Sequence, residues 1–444
     1  MFQKSFFSVL VLSFVFLVTH SALAAQGFNP TLREGTFQPR PIAISPFYAQ
    51  DQAHADLARN IPQIIESDLE GSGLFRPINH NAFVQTPESV AREGLRFPEW
   101  RATGTESVVS GKVLTDAQGR TRVEFRLWDV LSQQQLIGMA YTTTPQNWRR
   151  IAHIISDEIY KRLTGEEGYF DTRIVYVSES GPSTNRVKRL AIMDQDGANN
   201  KYLTDGSYMV LTPRFSPESQ RLTYMSYQSG KPKVYLYDIN TGNHQLLGSF
   251  PGMTFAPRFS PDGRKVIMSM ARNGNTDIYE MDLASRQSRR ITSDPGIETA
   301  PCYSPDGKQI VFESDRSGTQ QLYIMNADGS GQHRLTFGDG RYANPVWSPR
   351  GDLIAFIRMY KGSFYLGVIR PDGSGERMLA TAYHVEGPSW SPNGRVLVYF
   401  KESRERKGQE KQSHLYTIDI TGYNERLLRT PQYGSDPAWS PLNP

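Results

Sequence analysis

From Arg173 onward the chain alternates apolar and polar residues with a period of two, in short runs separated by polar, glycine-containing turns. Asp277-Ile278-Tyr279-Glu280-Met281-Asp282 and Gln321-Leu322-Tyr323-Ile324-Met325-Asn326 show the pattern. A period of two sends successive side chains to opposite faces of a strand, whereas a helix needs apolar residues three and four apart. The runs therefore predict β-strands. They keep step with a phrase said six times: PRFSPES at 213–219, PRFSPDG at 257–263, PCYSPDG at 301–307, PVWSPRG at 345–351, PSWSPNG at 388–394 and PAWSPLN at 437–443. Its Ser-Pro pairs begin at 216, 260, 304, 348, 391 and 440, so copies lie 44, 44, 44, 43 and 49 residues apart. One strand before each turn and three after it make a four-stranded antiparallel unit, the blade of a β-propeller.

The phase of the repeat predicts how the ring closes. The first unit starts in mid-blade at Arg173-Ile174-Val175-Tyr176-Val177, and the last turn, Trp439-Ser440-Pro441, has no blade after it. The two fragments complement one another. Six blades follow, with the strand around Pro437 to Ser440 as the innermost strand of the blade built from 173–204, an overlap that hides two strand edges. The Asp-Gly and Asn-Gly pairs at 262–263, 306–307 and 393–394 supply the positive φ of tight hairpins, so Asp262 and Asp306 belong to turns on separate blades.

The preceding part changes character and predicts an α/β domain over residues 41–168, with the propeller at 169–444. Arg40 to Ser45 begins a strand; Ala53, Leu57, Ile61, Ile64, Ile65 and Leu69 follow at largely helical spacing, interrupted by Pro62. Strand signals recur at Leu74 to Ile78, Val108 to Leu114, Val123 to Val130 and Leu136 to Thr143, with an amphipathic stretch at Val90 to Trp100. Thr144-Pro145 carries an N-cap signature, Trp148, Ile151, Ile155, Ile159 and Leu163 mark a helical face, and Gly165 ends it. Two main helices on one side of a mixed sheet leave the other side to meet the propeller. The junction Glu166-Glu167-Gly168-Tyr169-Phe170 is too short for a loose tether and predicts close contact.

Residues 1–24 combine Lys4, an apolar run from Phe6 to Val18 and the small-residue exit Ser21-Ala22-Leu23-Ala24, a cleaved secretory signal. Residues 25–40 lack periodicity and predict a mobile arm, either an unstructured leader between the signal and the fold or a short peptide that orders on a partner. The formal charge of +4 falls to +3 once Lys4 leaves with the signal, too near neutral for a nucleic-acid partner. Cys302 is the sole cysteine and replaces the aromatic residue of the phrase, the place of a buried core thiol.

No catalytic constellation assembles from the chain: G-x-S-x-G, H-E-x-x-H, G-x-x-x-x-G-K and C-x-x-C are all missing. His153 sits on the flank of the helix after Thr144. The other histidines lack ligand-like spacing, although an ion assembled across the propeller ring stays open. No metal or cofactor is called for. With strands a to d numbered outward, the uniform Ser-Pro turns join a to b on one face, while the variable d-to-a and b-to-c connections share the other. That variable face carries Tyr208, Met209, Met253, Phe255 and Tyr342, with Glu298 and Glu386 among them, the mixture of aromatic, Met and polar groups found at protein-binding surfaces.

From the signal and arm, through the α/β domain, to six P-x-[FYW]-S-P-x-[GN]-like phrases ending at Pro441, the chain resembles the TolB family, the periplasmic components of the Tol–Pal system of Gram-negative bacteria. Glu218-Ser219 in the first phrase and Arg350 in the fourth depart from the pattern and alter turn quality only. The resemblance implies a non-enzymatic periplasmic adaptor, monomeric when unbound and without membrane insertion. It would link inner-membrane TolA to the peptidoglycan-associated lipoprotein Pal, for outer-membrane invagination during division and outer-membrane integrity. It also implies that Ala25, Gln26, Gly27, Phe28, Asn29, Pro30, Thr31, Leu32 and Arg33 carry the TolA segment, and that Met253, Ala256, Thr299 and Ala300 lie among the Pal-contacting loops. The rival reading is a secreted hydrolase or lyase acting in the propeller channel.

Overall fold

The computed structural model describes residues 38–250, 257–404 and 411–444. Its first part is a mixed sheet flanked by helices: β1 (Arg40–Ile44), β2 (Tyr48–Ala49), α1 (Ala55–Gly71), β3 (Phe75–Pro77), α2 (Pro87–Glu93), α3 (Phe97–Ala102), β4 (Ser107–Thr115), β5 (Thr121–Asp129), β6 (Gln134–Thr143) and α4 (Trp148–Thr164). The order is β3-β1-β4-β5-β6, with β2 beside β4. β1 runs parallel to β3 and β4, and β4, β5 and β6 form an antiparallel meander.

Alternation decides which side chains meet which helices. Val109, Val113, Val123, Phe125 and Leu127 point to one face, where Ile61, Ile65 and Leu69 of α1 and Ile151, Ile155 and Ile159 of α4 cover them. The other face buries Val108 and Ala43 beneath the fully buried Trp100 of α3. Pro62 does not end α1. The Ala58 carbonyl, which a non-proline residue at 62 would have engaged, instead accepts from Phe47 N at 2.9 Å, so the missing N–H leaves no orphan acceptor. The N-cap expected of Thr144 is not made: a 3₁₀ turn at Pro145–Asn147 precedes α4, and the Thr144 side chain makes no capping bond. Gly165 closes α4 at φ 78°, its N–H donating to Lys161 O at 2.9 Å.

The remainder is a six-bladed propeller of four-stranded sheets. The last strand, Tyr433–Trp439, is the innermost strand of the blade continued by Arg173–Ser180, Val187–Asp194 and Lys201–Tyr202, as the phase of the repeat predicts. The innermost strands neighbour one another around the ring, which that last strand completes. Three of the Ser-Pro turns share one internal lock. Ser260 Oγ donates to Asp262 at 2.6 Å while its carbonyl accepts from Gly263 N at 2.9 Å; Ser304 pairs with Asp306 at 2.6 Å and Ser391 with Asn393 at 2.9 Å. The first phrase has Glu at the Asp position, and its buried Ser216 Oγ has no hydrogen-bond partner.

The two parts share one continuous core. Ile155 and Ile159 belong to the same buried cluster as Ile174, Met193, Val396, Leu415 and Trp439 of the propeller. The expectation that the free side of the sheet meets the propeller needs correcting. α1 and α4 lie between the sheet and the propeller, and α2 and α3 take the sheet's other face. Polar groups fix the seam: Asn424 Nδ2 donates to Gly71 O at 2.7 Å, Gln195 Nε2 to Asp68 at 2.8 Å and Asn393 Nδ2 to Glu167 O at 2.8 Å. Asn424, Gln195 and Asn393 all come from a-to-b or c-to-d connections. The α/β domain therefore docks on the Ser-Pro side of the ring, and the d-to-a and b-to-c connections lie on the opposite side.

Candidate functional site

Among the described residues, five innermost strands are bent at the residue before the phrase's first proline. Thr212, Ala300, Asn344, Gly387 and Asp436 all hold positive φ, between 46° and 64°, and the strand register slips there in every case. Proline disfavours the right-handed α conformation in the residue before it, and an inserted bulge residue can adopt the left-handed one instead. Left-handed geometry costs a non-glycine residue roughly 1–2 kcal/mol, and two of these residues are held by hydrogen bonds to neighbouring blades. Thr212 N donates to Asp436 at 3.2 Å and Asn344 N to Glu313 at 2.6 Å. The result is a ring of bulges around the axis, each terminating the variable connection that precedes it.

Inside that ring lies a charged channel. Arg214 and Arg258 line a cavity of about 250 Å³ with Cys302, Trp347, Trp390 and Trp439. Burial, with Arg258 adding, pushes the Arg214 guanidinium down to about 9, against Asp436 and Glu386. Glu313 accepts from Asn344 N, from Thr299 Oγ1 at 2.9 Å and from Gln320, yet burial still raises its pKa. Burial raises Glu386 too, with Asp436 and Glu313 adding and His384 opposing. Cys302 is buried, its Sγ accepting from Trp347 N at 3.4 Å, which fits the core-thiol expectation.

The rim outside the channel is apolar in patches. Tyr208 is 47% exposed, Met209 44%, Ile297 53% and Phe337 76%, all on d-to-a connections, with Tyr383 nearby. Arg334 stacks over Phe337 and Arg404 over Tyr383, each with its guanidinium carbon 4.9 Å from the ring centre.

The residues singled out from the sequence fall into distinct environments. Tyr208 and Met209 are exposed on the rim. Thr299 and Glu386 are partly buried at its inner edge. Glu298 and Tyr342 are fully buried and Ala300 nearly so, so their side chains brace the rim from beneath and are not part of its exposed surface. Glu298 pairs with Arg316, and the Tyr342 hydroxyl donates to Glu376 at 2.8 Å. Met253, Phe255, Ala256 and the arm residues Ala25 to Arg33 lie outside the described residues. Sequence reasoning passed over Ile297 and Phe337, although both stand in the variable connections. His153 is not a flank residue: it is 3% exposed, within the seam between α1, α4 and the propeller. Burial opposes its charge, but Asp68, Asp196 and Asp194 together raise its pKa to about 9.

An α/β domain fixed to one side of a six-bladed propeller, with an apolar rim on the other, defines a two-domain propeller protein. The chain belongs to the TolB family of Tol–Pal system proteins. Residues 31–136 match the TolB amino-terminal domain and residues 160–443 the TolB beta propeller domain. The Tol-Pal system protein TolB of Paramagnetospirillum magneticum is 61% identical over 433 residues, covering 97% of each chain. That of Pelagibacter ubique is 62% identical over 404 residues, covering 89% of this chain and 90% of its own. The crystal structure of TolB from Acinetobacter baumannii superposes with a TM-score of 0.79 at 31% identity, covering 91% of this chain and 97% of that one. No helix among the described residues is long and apolar enough to cross a membrane.

Proposed function

We propose that the protein is a non-enzymatic periplasmic adaptor linking inner-membrane TolA to the lipoprotein Pal, serving outer-membrane invagination during division and outer-membrane integrity. The observation that carries this reading is the asymmetry of the propeller. One side is taken by the α/β domain, and the other presents Tyr208, Met209, Ile297 and Phe337 around a polar channel mouth. Exposed aromatic and Met side chains around a partly buried polar centre suit a protein partner. β1, to which the TolA segment Ala25 to Arg33 leads in sequence, belongs to the α/β domain, on the side of the ring away from that rim. The channel carboxylates support the same reading over a hydrolase or lyase: Glu313 is taken by three donors and Thr212 N holds Asp436. General acid–base work needs such a group within hydrogen-bond reach of a substrate proton. Calorimetric titration with purified Pal tests the adaptor reading. Submicromolar binding that is lost in Met209→Glu/Ile297→Glu supports it; equal binding by that variant moves the interface elsewhere.

A further inference from the structure

At the seam, His153 on α4 faces a propeller hairpin that carries Asp194 and Asp196 on either side of Gln195. One ligand-capable atom from each of His153, Asp194 and Asp196 lies within 4.8 Å of the other two. Three further features make this more than a crowd of acids. The imidazole is 3% exposed, yet its Nε2 has no hydrogen-bond partner and is 3.9 Å from an Asp196 oxygen. Its Nδ1 is already committed, 2.8 Å from Asp68 Oδ2, and the other Asp68 oxygen accepts from Gln195 Nε2 at 2.8 Å. His153 and Asp194 also line a polar cavity of about 330 Å³ beside α4, and Asp196 lines a neighbouring one of about 150 Å³, which gives an entry path.

A carboxylate on one ring nitrogen, turning the other outward, is the arrangement that orients a metal-ligating histidine. We propose that His153 Nε2, Asp194 and Asp196 form a binding site for a divalent transition-metal ion that pins the α/β domain to the propeller. One nitrogen and two carboxylate oxygens suit zinc and its neighbours, with water in the remaining position. Metal–ligand distances of about 2.0–2.2 Å require the three atoms to draw together by roughly 1 Å, within reach of side-chain rotation. Arg149 now occupies the position of a counter-ion: its Nη2 pairs with Asp196 and its Nε is 3.8 Å from Asp194. The ion would displace that guanidinium into the cavity and replace the proton on Nε2, releasing one proton per ion bound to the protonated ring.

The test is calorimetric titration of the full mature chain with Zn²⁺ at pH 8, with ¹⁵N NMR of the histidine rings. The expected result is one Zn²⁺ per chain, a shift of the His153 Nε2 resonance and a higher melting temperature. Asp194→Asn and Asp196→Asn, both on a partly exposed hairpin, are expected to weaken binding at least tenfold while keeping the native circular dichroism. Arg149→Gln is expected to tighten binding about tenfold, a gain that a merely structural role would not produce. Zn²⁺ binding unchanged in both aspartate variants, a silent His153 resonance, or Ca²⁺ binding there as tightly as Zn²⁺ would overturn the assignment.

Discussion

Trp439 Nε1 donates to Thr172 Oγ1 at 2.8 Å, and Thr172 Oγ1 in turn donates to Tyr169 O at 2.6 Å. The end of the chain is thereby tied to the segment that leads from the α/β domain into the propeller. Trp439 also packs edge-on against Tyr169, with ring centres 5.8 Å apart. Removing Gln432 to Pro444 takes away this strand and the shared core beneath it. The deletion is expected to abolish cooperative thermal unfolding, and Trp439→Ala alone to cost about 3–5 kcal/mol in urea titrations.

Asp157 holds the junction between the two parts. Its carboxylate accepts from Phe170 N at 2.7 Å and Asp171 N at 2.9 Å, and Gly168 packs against it so closely that an added Cβ would lie 2.6 Å from Asp157 Cα. Burial raises the Asp157 pKa to about 7, against those two donors and with Asp68 and Asp171 adding. A folded-state pKa above the unfolded value means that the folded state holds the proton more tightly. This contribution to stability is complete below about pH 4 and is lost as pH rises through about 7. Wild type is therefore expected to lose roughly 2–4 kcal/mol relative to Asp157→Asn between pH 4.5 and 7.5. Parallel pH profiles for the two proteins would contradict this.

Gly168→Ala tests the same junction by sterics. The methyl group would meet Asp157 Oδ1 as well as its Cα, so one of the two backbone donors must lose its partner. The expected cost is about 1–3 kcal/mol. Because the cores are continuous, the loss should appear as a lower midpoint of one joint transition; two separate transitions would show that the parts unfold independently.

Deleting Ala25 to Arg33 is expected to weaken TolA binding at least tenfold with no change in melting temperature, since β1 begins only at Arg40. Calorimetry with purified TolA checks it, and undiminished affinity would deny the arm its role.

Much of this architecture was legible in the residues. Blades followed from period-two alternation and from a phrase whose Ser and Asp lock the same turn, and closure followed from phase alone. What stayed hidden depends on partners distant in sequence. Tyr342 and Glu298 have surface-compatible side chains in variable connections, but Glu376 and Arg316, distant in sequence, give their polar ends partners. Thr212, Ala300, Asn344 and Asp436 share no side-chain chemistry that would announce left-handed geometry; only the following proline does. His153 looks marginal on its helix because a helical face does not show that a propeller hairpin will cover it.

The central claim, that the rim opposite the α/β domain receives Pal, is tested most directly by hydrogen–deuterium exchange of the mature chain with and without purified Pal. The account predicts slowed exchange in the connections around Tyr208–Met209, Ile297 and Phe337, with the Ser-Pro turns at 260–263 and 304–307 unchanged. Protection confined to those turns or to the α/β domain would contradict it.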